Sequence, residues 1–332
     1  TPGVVVAANR VFSFETPKLA FFFAENAQNV GQWAYSSIGL LSIFLESISA
    51  NNHFITRDLA KSLYKRRKLF DHKGTFGHAF LVAGSYGKTG AAILAAKGCL
   101  RSGAGLVTVQ AAKTSVLPLQ VAVPEAMCLP DEHDFWPSKI LTNFEKYDAI
   151  GVGPGIGTEV ETLKLLENLL RKAKCPVVLD ADALNLMAAM PKMLKSLPQT
   201  CIITPHPKEF ERLFGKSENG FDRQELALAK AKELGIFIVL KGAHTLVACP
   251  DGQSFFNSTG NPGMATGGSG DVLTGILTGL LAQKYDPKSA CILGVFLHGL
   301  AGDLAAAEKS QESLVAGDIA AFLGRAFLEL NN

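Results

Sequence analysis

The chain has 332 residues, 48% of them hydrophobic and 19% charged, so it can bury a sizeable core. Its formal net charge of +2 is close to balance, which argues against a general nucleic-acid-binding or membrane-surface role. We find no apolar run of the roughly 18 residues that a membrane span needs. The length predicts two domains, or one large α/β domain with an appendage.

Six cysteines are scattered along the chain without a CxxC pair, which predicts buried free thiols in a reducing cytoplasm rather than disulfides or zinc ligands. They are Cys99, Cys128, Cys175, Cys201, Cys249 and Cys291. Because the chain begins with Thr1, we expect the native start to be missing or processed, and a removed targeting segment stays open.

Residues 1–55 form the first predicted unit. VFSFE (11–15) has the pattern of a strand and LAFFFAENA (19–27) is strongly apolar, but no complete βαβ unit follows. Such a piece is too small to bury a core, so we expect it to dock on the main body or on a neighbouring subunit. Residues 56–72 are predicted to form a helix, with Thr56 as its N-cap, and a charged linker.

From residue 73 onward, short apolar runs alternate with helical patterns. Seven runs are predicted strands: 79–84, 105–110, 148–153, 176–180, 201–204, 237–241 and 245–248. Residues 161–174 carry leucines at helical spacing, and a later helix is expected to open with a capping box of Asp222 and Glu225. This alternation predicts an α/β fold with a mostly parallel sheet and helices on both faces.

Unusual polar and glycine-rich stretches follow these strands one after another. They are GSYGKTG (84–90), GPGIGT (153–158), Asp180 and Asp182, His206 and Glu209, and Lys241–Thr245. Because ligands bind beyond the carboxyl ends of the strands in open parallel sheets, we expect these stretches to form one site. GSYGKTG is not a phosphate-binding Walker A loop, since Val82 occupies the position of that motif's first glycine.

The clearest motif is Gly267-Gly268-Ser269-Gly270-Asp271, which stands directly before an apolar helix. Glycine amides at a helix N-terminus can bind an anion, because the helix dipole adds positive potential there. A carboxylate competes with a bound anion, so its presence suggests proton chemistry: the loop neutralises a transferring phosphate while Asp271 takes a proton from the acceptor oxygen. The alternative is that Asp271 only caps the helix.

The other polar residues each allow two interpretations. Glu209 would hold a metal through water or serve as an ordinary first-turn acid, and His206 would contact a ligand or only form the turn. Asp180 and Asp182 would contact a ligand or cap a helix. Lys241–Thr245 would present its backbone and lysine to phosphates or a nucleotide, or be a simple hairpin turn.

Together these stretches resemble the ADP/ATP-dependent NAD(P)H-hydrate dehydratases, a branch of the ribokinase-like superfamily. The resemblance covers residues 72–328 and rests on HKGTFGHAFLVAGSYGKTGAAILAAKGCLRSGAGLVTV, AIGVGPGIGT, VVLDADALN, ITPHPKEFERL, VLKGAHTLV and NPGMATGGSGDVLTGILTGLLAQ, in the family's order. Residues 8–50 resemble the tail of the epimerase domain of bifunctional repair proteins, without the body of that domain, so we expect no epimerase activity. The implied domains are an epimerase-type remnant (1–55), a helix and linker (56–72) and a ribokinase-like dehydratase domain (73–332).

The resemblance implies repair of damaged nicotinamide cofactor. The 6S hydrate of NADH or NADPH (NADHX or NADPHX) would be phosphorylated on its hydroxyl by ADP or ATP with Mg²⁺, and phosphate would then be eliminated. Asp271 would be the catalytic base, and Glu209 would help place Mg²⁺, although His206 stands where related kinases have asparagine. The other implied roles are hydrate contacts at Ala92, Gly155, His206 and Asp271; nucleotide contacts at Lys241, Gly242, Ala243, His244, Thr245 and Gly270; and an anion hole at Gly267, Gly268 and Gly270.

The resemblance also implies a homo-oligomer, in which the apolar segment 19–23 would join an interface, although a docked intramolecular arm fits equally well. Two rival functions stay open. A vitamin or sugar-alcohol kinase of the same superfamily shares the GSGD motif and would leave a stable phosphorylated product. A non-catalytic nucleotide-binding protein would bind nucleotide without turnover, and Asp271 argues against it.

Overall fold

A computed structural model describes residues 5–48 and 50–331. Its strands are β1 (Arg10–Phe14), β2 (Gln32–Ser36), β3 (Asn52–Ile55), β4 (His78–Val82), β5 (Leu106–Ala111), β6 (Met127–Pro130), β7 (Ala149–Val152), β8 (Val177–Leu179), β9 (Ile202–Ile203), β10 (Phe237–Leu240), β11 (Leu246–Ala248) and β12 (Ser254–Asn257). Its α-helices are α1 (Ala27–Val30), α2 (Ser42–Ser47), α3 (Arg57–Leu63), α4 (Thr89–Arg101), α5 (Val116–Ala122), α6 (Val160–Lys172), α7 (Asp182–Ala189), α8 (Pro207–Phe214), α9 (Gly220–Leu234), α10 (Ser269–Ala282), α11 (Pro287–Lys309) and α12 (Ala316–Asn331).

Among the described residues, ten strands form one sheet in the order β3-β12-β11-β10-β9-β8-β7-β4-β5-β6. Every neighbouring pair is parallel except the two that involve β11, which runs antiparallel to β10 and β12. The predicted mostly parallel α/β fold is therefore confirmed, and each of the seven predicted strands is present. The sequence interpretation missed β3, β6 and β12, which are only four residues long and offer little pattern to detect.

Two hydrophobic cores lie on opposite faces of this sheet. In β4, Ala79 and Leu81 belong to one core, and the alternate residues Phe80 and Val82 belong to the other. The first core includes buried residues of α4, α10, α11 and α12, and the second includes those of α6, α7, α8 and α9. Because successive strand residues point to opposite faces, helices cover both sides, as predicted.

Close packing of α4 against α10 fixes the position of the glycine-rich motif. A Cβ on Gly275 of α10 would lie 2.0 Å from the carbonyl oxygen of Ala95, and one on Gly98 of α4 would lie 2.4 Å from the carbonyl oxygen of Val272. Only glycine lets the two backbones approach this closely. The N-terminus of α10 is thereby held at the carboxyl edge of the sheet.

The helix α9 begins earlier than predicted. Its N-cap is Asn219, whose side-chain oxygen accepts from the backbone N–H of Asp222 at 2.9 Å. Asp222 therefore lies in the first turn and is not the cap, so the predicted capping box of Asp222 and Glu225 is wrong. The glycine at position 220 follows a good capping residue, and the sequence interpretation overlooked that pair.

Residues 5–36, here called the arm, dock on the main body. In the arm, β1 pairs in parallel with β2, and Phe22 stacks on Phe54 of β3 and Phe256 of β12 with ring centroids 5.4 and 4.7 Å apart. This is the intramolecular alternative of the two that the sequence left open. Because β3 belongs to the main sheet, the predicted boundary after residue 55 separates a strand from its own sheet. Thr56 caps α3 as predicted, accepting from the N–H of Leu59.

The helix α11 qualifies by length and composition as a candidate membrane span, which the search for uninterrupted apolar runs did not find. Of its most apolar window, 67% is buried inside the protein, where it packs in the first core. A central helix of a folded domain passes the same test, so this is weak evidence for a membrane segment.

Candidate active site

The turn after β4 and the loop after β7 lie against each other at the carboxyl edge of the sheet. Gly155 has φ of 61°, and a Cβ there would lie 2.9 Å from Cβ of Lys88. Lys88 donates to a carboxylate oxygen of Asp182 at 3.1 Å, and the backbone N–H of Gly157 donates to the same oxygen at 2.9 Å. The structure therefore joins GSYGKTG, GPGIGT and Asp182, as the sequence predicts.

A buried ion pair connects the next three elements. Asp180 is 1% exposed. Its carboxylate accepts from the Lys241 ammonium at 2.7 Å and from the Thr274 hydroxyl at 2.8 Å. Lys241 also lies 3.8 Å from Glu209. A Cβ on Gly270 would lie 3.2 Å from the Lys241 nitrogen, so Gly270 makes room for this ammonium beside the start of α10. Asp180 thus fixes the lysine at the site.

His206 and Glu209 form a reciprocal cap on α8. The ring Nδ1 of His206 accepts from the backbone N–H groups of Lys208 and Glu209, at 3.1 and 3.3 Å. The Glu209 carboxylate accepts from the backbone N–H of His206 at 2.9 Å. Of the two interpretations left open for each residue, the local structural one is present. The ligand and metal contacts remain predictions for these two residues.

The N-terminus of α10 is open by contrast. Its N-cap is Gly268, with φ of 92°, and no side chain caps it. The backbone N–H groups of Gly267, Gly268, Gly270 and Asp271 have no hydrogen-bond acceptor within the described part of the chain. Unsatisfied amides at a helix start, reinforced by the helix dipole, suit a bound anion. The three predicted anion-hole glycines therefore lie together with free donors.

Asp271 lies in the first turn of α10 and does not cap it. Its carboxylate has no hydrogen bond or ion pair with any described residue, so the capping alternative does not hold. Burial, helped by the negative charge of Asp180, raises the pKa of Asp271 from 3.8 to about 7, against the opposing effect of Lys241. A general base works best when its pKa lies near the working pH. Asp271 has that property.

The turn Lys241–Thr245 joins β10 to β11 as an antiparallel hairpin. Thr245 closes it by donating its hydroxyl to the Gly242 carbonyl at 3.1 Å, and a ring nitrogen of His244 contacts the carbonyl of Asn257 at 3.0 Å. Gly242 and Ala243 are exposed, while the Lys241 side chain points inward to Asp180. The hairpin interpretation is correct, and it leaves two exposed backbone positions beside a fixed cation.

Two of the predicted contact residues, Ala92 and Gly268, are closely packed within the fold. Ala92 is completely buried, and its methyl group lies 2.9 Å from where a Cβ of Gly84 would be, so contact with a ligand would require this turn to move. A Cβ on Gly268 would lie 2.3 Å from a methyl carbon of Leu94. A side chain at position 268 would therefore disturb the fold as well as the anion hole.

The sequence interpretation missed two supporting residues. His298 of α11 donates from Nε2 to the carbonyl of Ser269 at 3.0 Å, and burial lowers the pKa of His298 to about 4. Thr274 holds the second oxygen of Asp180. Both lie inside apolar helices, and the only sequence signal for either was a polar residue among apolar neighbours.

The described residues contain no cluster of three or more histidine, cysteine or acidic side chains arranged to hold a metal ion. Glu209 lies near the open α10 terminus but also 3.8 Å from Lys241, which opposes direct coordination of a cation there. Mg²⁺ usually keeps several waters and binds through one or two carboxylates and substrate phosphates. The residues therefore fit an Mg²⁺ that arrives with phosphates, and a water-mediated bond from it to Glu209 remains a prediction.

The free backbone amides and the Asp271 carboxylate, whose pKa is about 7, lie at the start of α10. The Lys241 ammonium lies beside them, next to Gly270. Such an arrangement can stabilise a transferring phosphoryl group while a base accepts the proton of an attacking hydroxyl.

Comparisons with known proteins agree with this chemistry. A family model described as NAD(P)H-hydrate dehydratase matches residues 79–324. The ADP-dependent (S)-NAD(P)H-hydrate dehydratase of Bacillus subtilis is 38% identical over 83% of this chain and 98% of its own length. A bifunctional NAD(P)H-hydrate repair enzyme of Moorella thermoacetica is 37% identical over 97% of this chain, which spans 62% of that protein.

Solved structures give the same result. A crystal structure of the ADP/ATP-dependent NAD(P)H-hydrate dehydratase of Bacillus subtilis, co-crystallised with ATP and Mg²⁺, matches 85% of this chain and all of its own, with a TM-score of 0.75 at 34% identity. A ribokinase-like superfamily protein of Enterococcus faecalis matches 85% of this chain and 98% of its own, also with a TM-score of 0.75, at 30% identity.

Proposed function

The chain belongs to the NAD(P)H-hydrate dehydratase family, and on that premise we propose that it dehydrates the 6S hydrate of NADH or NADPH at the expense of ADP or ATP. The observation that carries the proposal is the pairing of Asp271, unpartnered and with a pKa of about 7, with the open amides at the start of α10.

In the first step, the hydroxyl oxygen of the hydrate attacks the terminal phosphorus of the nucleotide while Asp271 accepts the hydroxyl proton. The bond from phosphorus to the bridging oxygen breaks, and the nucleotide leaves with one phosphate fewer. The free amides of Gly267, Gly268 and Gly270 stabilise the charge on the transferring phosphoryl oxygens. Lys241, held by Asp180 at 2.7 Å, adds a fixed positive charge beside them.

In the second step, the electron pair of the ring nitrogen expels phosphate from the phosphorylated carbon, and the neighbouring ring carbon loses a proton. The ring regains its double bond, and water is removed in total at the cost of one phosphoanhydride bond. Phosphate leaves far more readily than hydroxide, which explains why a dehydratase would use a kinase-like site. Mg²⁺ bound with the nucleotide would neutralise phosphate charge, with Glu209 as its water-mediated protein ligand.

We also propose a homo-oligomer. The segment 19–23, for which an interface and a docked intramolecular arm were both left open, docks on the chain's own body through Phe22. The nearby exposed apolar side chains offer a different contact surface: Ile38, Leu40, Leu41, Ile43 and Phe44. Analytical ultracentrifugation checks this directly.

The experiment that tests the function mixes the protein and Mg²⁺ with chemically prepared NADH hydrate and with ADP or ATP in separate cuvettes. A nucleotide-dependent rise at the reduced-nicotinamide absorbance band, with release of free phosphate, is the expected result and identifies the donor. A stable phosphorylated product without that rise would instead indicate a small-molecule kinase.

A further inference from the structure

The loop that joins β12 to α10, residues 258–268, carries two of the three predicted anion-hole glycines. It contains four glycines, so its backbone has more conformations to lose on ordering than an ordinary loop has. An anion hole stabilises a developing charge when its donors are already in place. The position of this loop before a phosphate binds therefore matters for the reaction.

The helix α11 lies directly against the first half of the loop. A Cβ on Gly299 would lie 2.3 Å from the hydroxyl oxygen of Thr259, and one on Gly302 would lie 2.3 Å from the sulfur of Met264. The Thr259 hydroxyl donates to the carbonyl of Phe296 at 2.8 Å. Since α11 is 23 residues long and packs in the first core, it offers the loop a rigid surface.

Asp303 of α11 uses both of its carboxylate oxygens on this loop. One accepts from the backbone N–H of Gly260 at 2.8 Å, and the other accepts from the side-chain amide of Asn261 at 2.9 Å. The side-chain oxygen of Asn261 accepts in turn from the N–H of Gly263 at 3.0 Å and caps the short turn Pro262–Met264. Hydrogen bonds to an ionised carboxylate are stronger than those between neutral groups. Asp303 therefore fixes the start of the loop.

The far end of the loop is anchored to the same helix. His298 donates from Nε2 to the carbonyl of Ser269 at 3.0 Å. Residues 265–268 lie between the two anchors, and within the described part of the chain they form no hydrogen bond with α11. The direction in which the Gly267 and Gly268 amides point thus depends on where the two anchors hold the loop.

Resting on the proposed function, we propose that Asp303 is a positioning residue for the anion hole. It holds the loop in place before the nucleotide binds, so that the free amides of Gly267 and Gly268 meet the transferring phosphoryl group. It acts through Gly260 and Asn261 and needs no contact with the phosphate itself.

The test exchanges the two hydrogen-bonding partners. Asp303→Asn leaves one of the two loop donors facing an N–H group, and Asn261→Asp places two carboxylates side by side. Each single variant should lower kcat about ten- to a hundredfold, as expected when a site is displaced by about 1 Å. Each should also speed hydrogen exchange of the amides of 258–268, which needs no ligand or turnover. The double variant restores one donor and one acceptor at this contact, so both quantities should return to within roughly threefold of the parent.

A milder variant and a control complete the test. Asn261→Ser keeps a capping oxygen for Gly263 but loses the donor to Asp303, and it should lower kcat about tenfold. Asp286→Ala is the matched control, because Asp286 caps the other end of α11, about 25 Å away along the helix axis. It should lower the Tm while leaving kcat and exchange in the loop unchanged.

Three results would overturn the proposal. The first is kcat and loop exchange within about twofold of the parent in both Asp303→Asn and Asn261→Ser. The second is a double variant whose loss equals the product of the two single losses. The third is an equal fall in kcat for Asp286→Ala at the same loss of Tm. Loop exchange that follows the cycle in a protein that does not dehydrate the hydrate would sink the proposed function and leave the anchoring by Asp303 intact.

Discussion

The N-termini of α8 and α10 lie at the same edge of the sheet, and the protein treats them in opposite ways. At α8, the ring of His206 accepts from two first-turn amides, Pro207 has no N–H, and Glu209 returns a bond to the cap. At α10, glycines replace capping side chains, and four amides remain free among the described residues. The N-terminal amides of α8 are therefore satisfied by the protein's own side chains, and those of α10 are free to bind a ligand.

Leaving a helix start open costs stability, since a good N-cap contributes about 1 kcal/mol. The acids at the two sites show the same division. Glu209 is hydrogen-bonded in its cap, whereas Asp271 is half-buried with no partner and a pKa of about 7. Unsatisfied donors and an unpaired, half-buried acid both destabilise the folded state, so stability alone gives no reason for either feature. Their presence at α10 and absence at α8 support the proposal that the reaction takes place at the N-terminus of α10.

The largest effect is expected from substitution of Asp271, the acid at the N-terminus of α10. Asp271→Asn should lower kcat by about 10²–10⁴, since the amide cannot accept the hydroxyl proton. Nucleotide affinity should stay close to that of the parent, because no described residue binds the Asp271 carboxylate. Dehydration rates and nucleotide titrations measure the two quantities. A variant that keeps more than roughly a tenth of the rate would remove Asp271 from the role of base.

The same substitution should raise stability at neutral and alkaline pH. The folded pKa of about 7 lies above the unfolded value of 3.8, so the folded state is penalised as pH rises between these values, and the penalty is complete above about 7. At 1.36 kcal/mol per unit of pKa, Asp271→Asn should gain of order 4 kcal/mol at pH 8 and almost nothing below pH 4. Denaturant unfolding of both proteins at several pH values checks this, and a gain independent of pH would contradict it.

Gly267→Val tests the free amides more cleanly than substitution at Gly268. Gly267 is exposed, and a Cβ there has no atom within 4 Å, so the fold should tolerate the change. The side chain should hinder the anion and lower kcat/KM for the nucleotide by roughly ten- to a hundredfold, as expected when a charge-assisted hydrogen bond is lost. Gly324→Val, at a similarly open position of α12, is the matched control. Normal kinetics in the Gly267 variant would argue against the phosphate cradle.

The smallest effect is expected from substitution of His206, the N-cap of α8. His206→Ala should lose about 1 kcal/mol of stability through the missing cap, and His206→Asn should restore most of it, since asparagine is a good N-cap. Thermal unfolding measures this difference. If both variants also raise the KM for the hydrate, His206 contacts the substrate in addition to capping α8. If neither does, its role is confined to the cap.

The sequence alone determined the fold class and the order of the site's parts. Apolar strand runs alternating with helical patterns require a covered parallel sheet, because each run has two faces to bury. The glycines and acid of 267–271 were recognisable as a candidate anion site, since that pattern depends only on residues adjacent in the chain. The short strand β3 was missed, because its four residues carry little pattern and its partner β12 lies some 200 positions further along.

Tertiary structure decided which polar groups are used up and which remain free. Lys241 and Asp180 are 61 positions apart, and nothing local shows that they pair. Asp271 and Glu209 are both first-turn acids in the sequence, yet only the fold gives one a partner and denies it to the other. The arm's place beside the Lys241–Thr245 turn depends in the same way on stacking of Phe22 against distant strands. Pairing, burial and the pKa of a carboxyl are properties of surroundings, and the surroundings are assembled only when the chain folds.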